Sequence, residues 1–181
     1  NMSHEIRTPM TSILGFAELL SEDQNGTLPP QQRQEYVETI KRHGEHLLTI
    51  INDILDLSKI ESGKMTVEQI PTNVMSVIHE VAELLRVRAQ GKAIGLDAVF
   101  ATSLPQTIQT DPTRLRQILL NLAGNAIKFT ETGSVTITTL LDTTREGHAI
   151  LSVVVKDTGI GLTHEQQRTL FGAFQQADNS T

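Results

Sequence analysis

The chain has 181 residues, with 15 Lys+Arg against 21 Asp+Glu and a formal net charge of −6, a size that suits one large domain or two small ones. An acidic chain without a basic run is a poor partner for a phosphate backbone, which sets nucleic acid aside. There is no cysteine, so disulfides and thiolate metal sites are excluded. No apolar stretch approaches the ~20 residues that span a bilayer, and no signal peptide is visible, so the segment reads as soluble and without membrane contact.

Residues 1–20 carry apolar groups at Met2, Ile6, Ile13, Phe16 and Leu20, with Pro9 filling the gap. That 4-3-4-3-4 spacing is a heptad seam on a helix. His4 falls off the seam and is expected to face outward. Pro9 lacks a backbone donor and is expected to bend the helix near it. The polar run Ser21–Pro30 reads as a loop that ends in a helix start. A second seam follows at Tyr36, Ile40, His43, Leu47, Ile50, Ile54 and Leu57. Val37, Leu48, Ile51 and Leu55 widen it beyond what one partner helix covers. Two such hairpins paired into a four-helix bundle would bury the excess, which predicts a homodimer through residues 1–62. His43, on the seam, is expected to be a packed core histidine. His46, His79, His148 and His164 show no metal-ligand spacing.

Ser62-Gly63 breaks the pattern and opens a second domain over 63–181. A short strand is expected at Lys64–Gln69, a helix at Asn73–Ala89, a strand at Ile94–Phe100 and an extended piece at Thr107–Thr110. Asp111-Pro112 caps a helix running to Phe129. Its expected buried stripe is Leu115, Ile118, Leu122, Ala126 and Phe129. Strands at Ser134–Leu141 and Ala149–Lys156 flank a turn near Arg145-Glu146-Gly147, and a last helix runs from Thr163 through Phe171. This order predicts an α+β two-layer sandwich behind the helical hairpin rather than a doubly wound sheet.

Three strings carry chemistry. In His4-Glu5-Ile6-Arg7-Thr8-Pro9 an imidazole can attack phosphorus once its other nitrogen shares a proton. Glu5 is adjacent and can accept that proton, and Thr8 lies one turn on along the same face. On the helix after Asp111, Asn121, Asn125 and Lys128 share a face, where amide oxygens can ligate Mg²⁺ and an ammonium can neutralise phosphate. In Asp157-Thr158-Gly159-Ile160-Gly161 a carboxylate and two glycines stand where a strand ends, and glycines let backbone approach a ligand. Each string taken alone also fits a plain structural role: a solvated helix face for the first two, a turn for the third.

Together they resemble the sensor histidine kinases. The first string resembles that family's phosphoacceptor box, H-[ED]-[IL]-[RK]-[TN]-P. The resemblance implies that His4 is autophosphorylated, that Glu5 is its acid/base partner and that Thr8 positions water for phosphatase activity. Gln117–Phe129 resembles the N box of the GHKL (Bergerat-fold) ATPases, implying ATP as nucleotide, Asn125 as Mg²⁺ ligand, and Asn121 and Lys128 near the phosphates. Asp157–Gly161 resembles their first glycine box, implying Asp157 as the adenine reader beside Gly159 and Gly161. Phe171 and Phe174 resemble the F box, although Gly172-Ala173 stands where Glu-Pro is common. The implied activity is ATP-dependent phosphorylation of His4 with transfer to a response-regulator receiver aspartate, in a cytoplasmic setting. The resemblance leaves open a membrane anchor elsewhere. No second glycine-rich box follows in this sequence and both ends read as cut from something longer. The isolated polypeptide is therefore expected to bind nucleotide poorly, and an inactive dimerisation and docking fragment is the alternative. A clamp-type GHKL ATPase is disfavoured by the phosphoacceptor hairpin.

Overall fold

The structure is a computed structural model that describes residues 2–23, 26–143 and 149–169. It divides into two compact units that meet in sequence between Thr66 and Val67.

The first unit is a helical hairpin of α1 (Met2–Glu22) and α2 (Pro30–Glu61). Every described seam position from Ile6 to Leu57 is half-buried, apart from Pro9, which is fully buried. Phe16 and Tyr36 lock the two seams, with ring centroids 5.0 Å apart. Helix α1 runs through Pro9 without interruption. The flanking residues Val37, Leu48, Ile51 and Leu55 stay exposed, Leu48 by 62%, and none of the 32 residues of α2 is fully buried.

The α1–α2 connection is organised by one carboxylate. Asp23 Oδ1 accepts from Thr27 N, Thr27 Oγ1 and Leu28 N at 2.5, 2.8 and 3.0 Å, and Oδ2 accepts from Arg33 at 2.5 Å. The Asp23 side chain is only 2% exposed. The Arg33 guanidinium, aided by the Leu28 and Thr27 donors against the cost of desolvation, holds its carboxyl down to about 2.

Helix α2 ends in a Schellman motif. Gly63 is left-handed, Gly63 N donates to Ile60 O and Lys64 N to Lys59 O. Met65 N also turns back to Lys59 O. This corrects the expected strand at Lys64–Gln69: its first two donors close the helix. Glu68 N then goes to the Asp111 carboxylate. Strand β1 starts later, at Ile70–Thr72, and pairs antiparallel with β3 (Ile108–Thr110) as a separate two-stranded sheet.

In the second unit Asn73 caps α3 (Val74–Gly91) and Asp111 caps α4 (Pro112–Phe129). Buried Asp111 accepts from Thr113 N and Arg114 N besides Glu68 N. Those donors hold its carboxyl below the usual range, the Arg114 amide foremost, against desolvation. Strand β2 (Gly95–Phe100) runs parallel to β4 (Ser134–Thr143), which pairs antiparallel with β5 (Ala149–Asp157). Val135, Ile137 and Thr139 of β4 turn one face inward with a period of two. Ile78, Val81 and Leu85 of α3 and Leu119 of α4 pack in the same core, giving the two-layer α+β architecture. The α5 segment His164–Thr169 begins at a capping box, Thr163 Oγ1 with Gln166 N and Gln166 Oε1 with Thr163 N. The expected turn at 145–147 and the continuation of this helix through Phe171 lie outside the described residues.

The buried stripe of α4 is a second correction. Leu119, Ala123, Ala126 and Ile127 face the core, whereas Ile118 and Leu122 are 56% and 50% exposed. At ~100° per residue the buried face is turned by about 80° from the expected one. Close helix packing uses the two alanines, which carry little weight in a pattern read from large side chains.

Two outcomes are expected. Helix α3 ends in a Schellman motif whose left-handed position is Ala93, φ 56°. Ala93→Gly should therefore raise unfolding free energy by about 0.5–1 kcal/mol in urea titrations, and a loss of stability would contradict this backbone assignment. For Asp23 the folded pKa lies below the unfolded one. Its stabilisation is complete above about pH 4 and disappears as pH falls through about 2. Asp23→Asn should weaken the hairpin at neutral pH, with the difference from the unsubstituted chain vanishing at the acid end. An equal deficit at both pH values, followed by circular dichroism, would contradict the ion pair.

Candidate functional site

His4 sits in the first turns of α1, exposed, on the side opposite the seam. Positions 4, 6, 9 and 13 on a ~100° spiral put the imidazole about 180° from the packed face. Glu5 is half-buried beside it and makes a polar contact of its own. Thr8 is exposed, and its hydroxyl donates to the His4 carbonyl at 3.1 Å, a back-bond that threonine commonly makes on helices. Pro9 supplies no N–H to this turn. The exposed imidazole is thus held on a backbone braced from the Thr8 side chain.

In the second unit three of the expected residues lie along the C-terminal half of α4. Asn121, Asn125 and Lys128 are exposed along one face, diametrically opposite the Ala123–Ala126 face that packs into the core. The Lys128 ammonium rests 4.9 Å from the centre of the Phe129 ring. Burial of the opposite face fixes the rotation of the helix, so both amides are directed to solvent by packing rather than by their own bonds.

The loop after β5 is fastened to that helix end. Asp157 Oδ1 accepts from Gly159 N at 2.9 Å, and Ile160 N reaches Phe129 O at 3.4 Å. A Cβ at residue 159 would lie 2.5 Å from Phe129 O and 3.0 Å from Asp157 Oδ1, so glycine is required there by close approach. Gly161 is required for a different reason: its φ is +69° and nothing crowds it. Thr158 anchors the loop from below, donating to Thr132 O at 3.3 Å and accepting from Ser134 N at 3.1 Å. This bracing role of Thr158, inside a string noticed for its neighbours, has no signal in sequence spacing.

The structure therefore places Asn121, Asn125, Lys128, Asp157, Gly159 and Gly161 in one unit, with the Asp157–Gly161 loop fastened to the end of α4 one residue past Lys128. His4, Glu5 and Thr8 belong to the other unit. Phe171 and Phe174 lie outside the described residues. His43 is half-buried on the α2 seam and His46 is exposed. His79 stacks on Phe100 at 5.4 Å with Nδ1 3.0 Å from Met75 O. Among the described residues no three His, Asp or Glu side chains converge as a metal cluster, and no helix is long and apolar enough to cross a membrane.

Both units are similar to parts of known proteins. Residues 1–63 match the family profile described as His Kinase A (phospho-acceptor) domain. Residues 110–181 match the profile described as Histidine kinase-, DNA gyrase B-, and HSP90-like ATPase. The chain is 46% identical over 180 residues to Sensor protein GacS of Pseudomonas syringae pv. syringae, covering 99% of this chain and 19% of that protein. It thus spans about a fifth of the length of the curated relatives it matches. Among solved structures it is similar to full-length ShkA in complex with AMPPNP, with 37% identity and a TM-score of 0.69 over 97% of this chain and 36% of that one. It is also similar to the histidine kinase ThkA in complex with the response regulator protein TrrA, with 25% identity and a TM-score of 0.65 over 96% of this chain and 48% of that one. Two profiles met in order on one chain, with relatives aligned across nearly all of it, make this protein a member of the histidine kinase family.

Proposed function

We propose that the chain is the catalytic core of a two-component sensor kinase, in which ATP held by the second unit phosphorylates His4 of the first. The observation that carries this reading is the opposition of the two faces of α4. Packing of Ala123 and Ala126 turns Asn121, Asn125 and Lys128 to solvent along the half of the helix whose last residue, Phe129, meets Gly159. A carboxylate at Asp157 suits the adenine amino group as an acceptor. The bare α-carbon of Gly159 and the left-handed Gly161 keep the loop free of side-chain bulk.

The donor set fits Mg²⁺. The Asn125 amide oxygen is a hard ligand on an exposed face, and Mg²⁺ characteristically shares its shell with water and nucleotide phosphates. When bound there it would neutralise phosphate charge, with Asn121 and Lys128 beside it. The chain's own residues do the rest. The imidazole of His4 attacks the γ-phosphorus, the bond from γ-phosphorus to the bridging oxygen of ADP breaks, and Glu5 takes the proton from the other ring nitrogen. Catalysis of this kind is mainly positioning and charge neutralisation. The phosphoryl group then passes to an aspartate of a receiver domain, a partner type in keeping with the ThkA complex. Thr8, on the same turn as His4, suits the positioning of a water that attacks the receiver's aspartyl phosphate, breaking the bond from phosphorus to the carboxylate oxygen and releasing inorganic phosphate.

The hairpin supports a homodimer through residues 1–62, with the ATP-binding part over 63–181. Val37, Gly44, Leu48, Ile51 and Leu55 form a second heptad stripe on the flank of α2 beside the seam, and the four large members are 40–62% exposed. Met10 and Leu14 of α1 are exposed as well. Burying one such side chain fully contributes about 1.5–3 kcal/mol, so four per subunit give a large gross driving force for pairing.

Incubation with γ-³²P ATP should label a full-length kinase containing this chain in an acid-labile, base-stable form, and His4→Gln should abolish the label. Label retained in that variant would remove His4 from its role. For the bundle, sedimentation should return a two-chain mass, and Leu48→Glu with Leu55→Glu should shift it to one chain. A dimer that survives the pair of glutamates would place the interface elsewhere.

A further inference from the structure

The end of α4 lacks the glycine that commonly closes a helix: Thr130, the C-cap, is extended. Its orphan carbonyls are met from elsewhere in the unit. Thr130 Oγ1 donates to Ala126 O at 2.7 Å. The single ammonium of Lys92 donates to Ile127 O, Lys128 O and Thr130 O at 2.9, 2.7 and 3.0 Å. Phe129 O, in the midst of these three, is left to the glycine loop through Ile160 N. An ammonium carries three N–H donors and no acceptor, so the side chain is saturated by this one task. Its charge also sits at the negative end of the helix dipole.

Lys92 reaches this place because α3 ends there. It is the C-cap residue of α3, followed by left-handed Ala93 and by buried Ile94, whose N–H closes on Ala89 O. The Schellman turn thus aims a long cation from one helix end to another 35–38 residues away.

We infer that Lys92 is a positioning residue for nucleotide binding, acting through the α4 terminus on the Asp157–Gly161 loop. This deepens the proposed function and rests on its assignment of that loop. With Lys92 in place, the carbonyls on both sides of Phe129 are pinned, so the Phe129 oxygen presents a fixed seat to Gly159 and Ile160. Without it, three carbonyls at a helix end lose a charged partner, and the last turn can rotate to find water. The seat for Gly159 then moves, and Asp157, bonded to Gly159 N, moves with it.

The test uses the intact kinase, with Mg·AMPPNP as the probe, at a temperature well below the melting points of all variants. Lys92→Met should weaken AMPPNP binding by about tenfold. It should also speed hydrogen exchange at the Ile160 amide while leaving exchange in the middle of α3 unchanged. Lys92→Arg, which keeps the charge and several donors, should recover affinity to within about threefold. A structural role alone would lower the melting point and leave both affinity and the Ile160 amide at the unsubstituted values, and that result overturns the inference. Asp157→Asn is the control for the underlying reading. If it binds AMPPNP as tightly as the unsubstituted kinase, the loop is not the nucleotide site, and the inference falls with that reading rather than through Lys92. If Asp157→Asn abolishes binding while Lys92→Met is neutral, the Lys92 inference alone is overturned.

Discussion

The seating of the Gly159 α-carbon against the Phe129 carbonyl is the constraint around which the second unit is built. No residue with a side chain fits there, since a Cβ would stand 2.5 Å from that oxygen. The contact joins the end of a core helix to the loop that leaves β5, so the helix that bears the two asparagines and the loop that carries Asp157 are fastened directly to one another. Everything that braces Phe129, from the alanine packing of α4 to the ammonium of Lys92, therefore also braces the loop. The exposure of the amides follows from burial on the other side: 119, 123, 126 and 127 take the core, and 121, 125 and 128 are what remains.

The hairpin obeys a comparable division. One heptad stripe on each helix is spent on the intrachain partner, and a second stripe on α2 stays exposed among the described residues. The imidazole of His4 lies off the first stripe, so it is kept in water by the same geometry that packs the helices. The tight carboxylate turn at Asp23 closes the hairpin without occupying either stripe.

Much of this was legible in the sequence, for physical reasons that differ by element. The heptad seams were legible because large apolar residues at 4-3 spacing have one plausible use. The Asp111 cap was legible because side-chain caps are local, and the helix starts near Asn73 and Thr163 were placed although their caps were not read. The strand at 64–69 was misplaced because Gly63 does more than break a helix: its Schellman turn consumes the backbone donors of the next two residues. The α4 stripe was misread because close helix packing favours Ala123 and Ala126, while Ile118 and Leu122 look like core and are half exposed. Lys92 left no trace, since a lysine bonded to carbonyls across 35–38 residues has no spacing to recognise. Of the site, the side-chain groups were readable from their strings. The carbonyl of Phe129, the hydroxyl of Thr158 and the ammonium of Lys92 were not, because backbone acceptors and tertiary braces are set by the fold.

The account places nucleotide recognition on the solvent face of α4 and on the loop seated at its end. The most direct measurement is the change in backbone amide resonances of the kinase on titration with ADP. Shifts concentrated at Asn121, Asn125, Lys128, Asp157, Gly159 and Gly161, with Leu119, Ala123 and Val135 unmoved, are the predicted result. Saturable binding whose shifts cluster elsewhere and leave Asn125 and Asp157 untouched would contradict it.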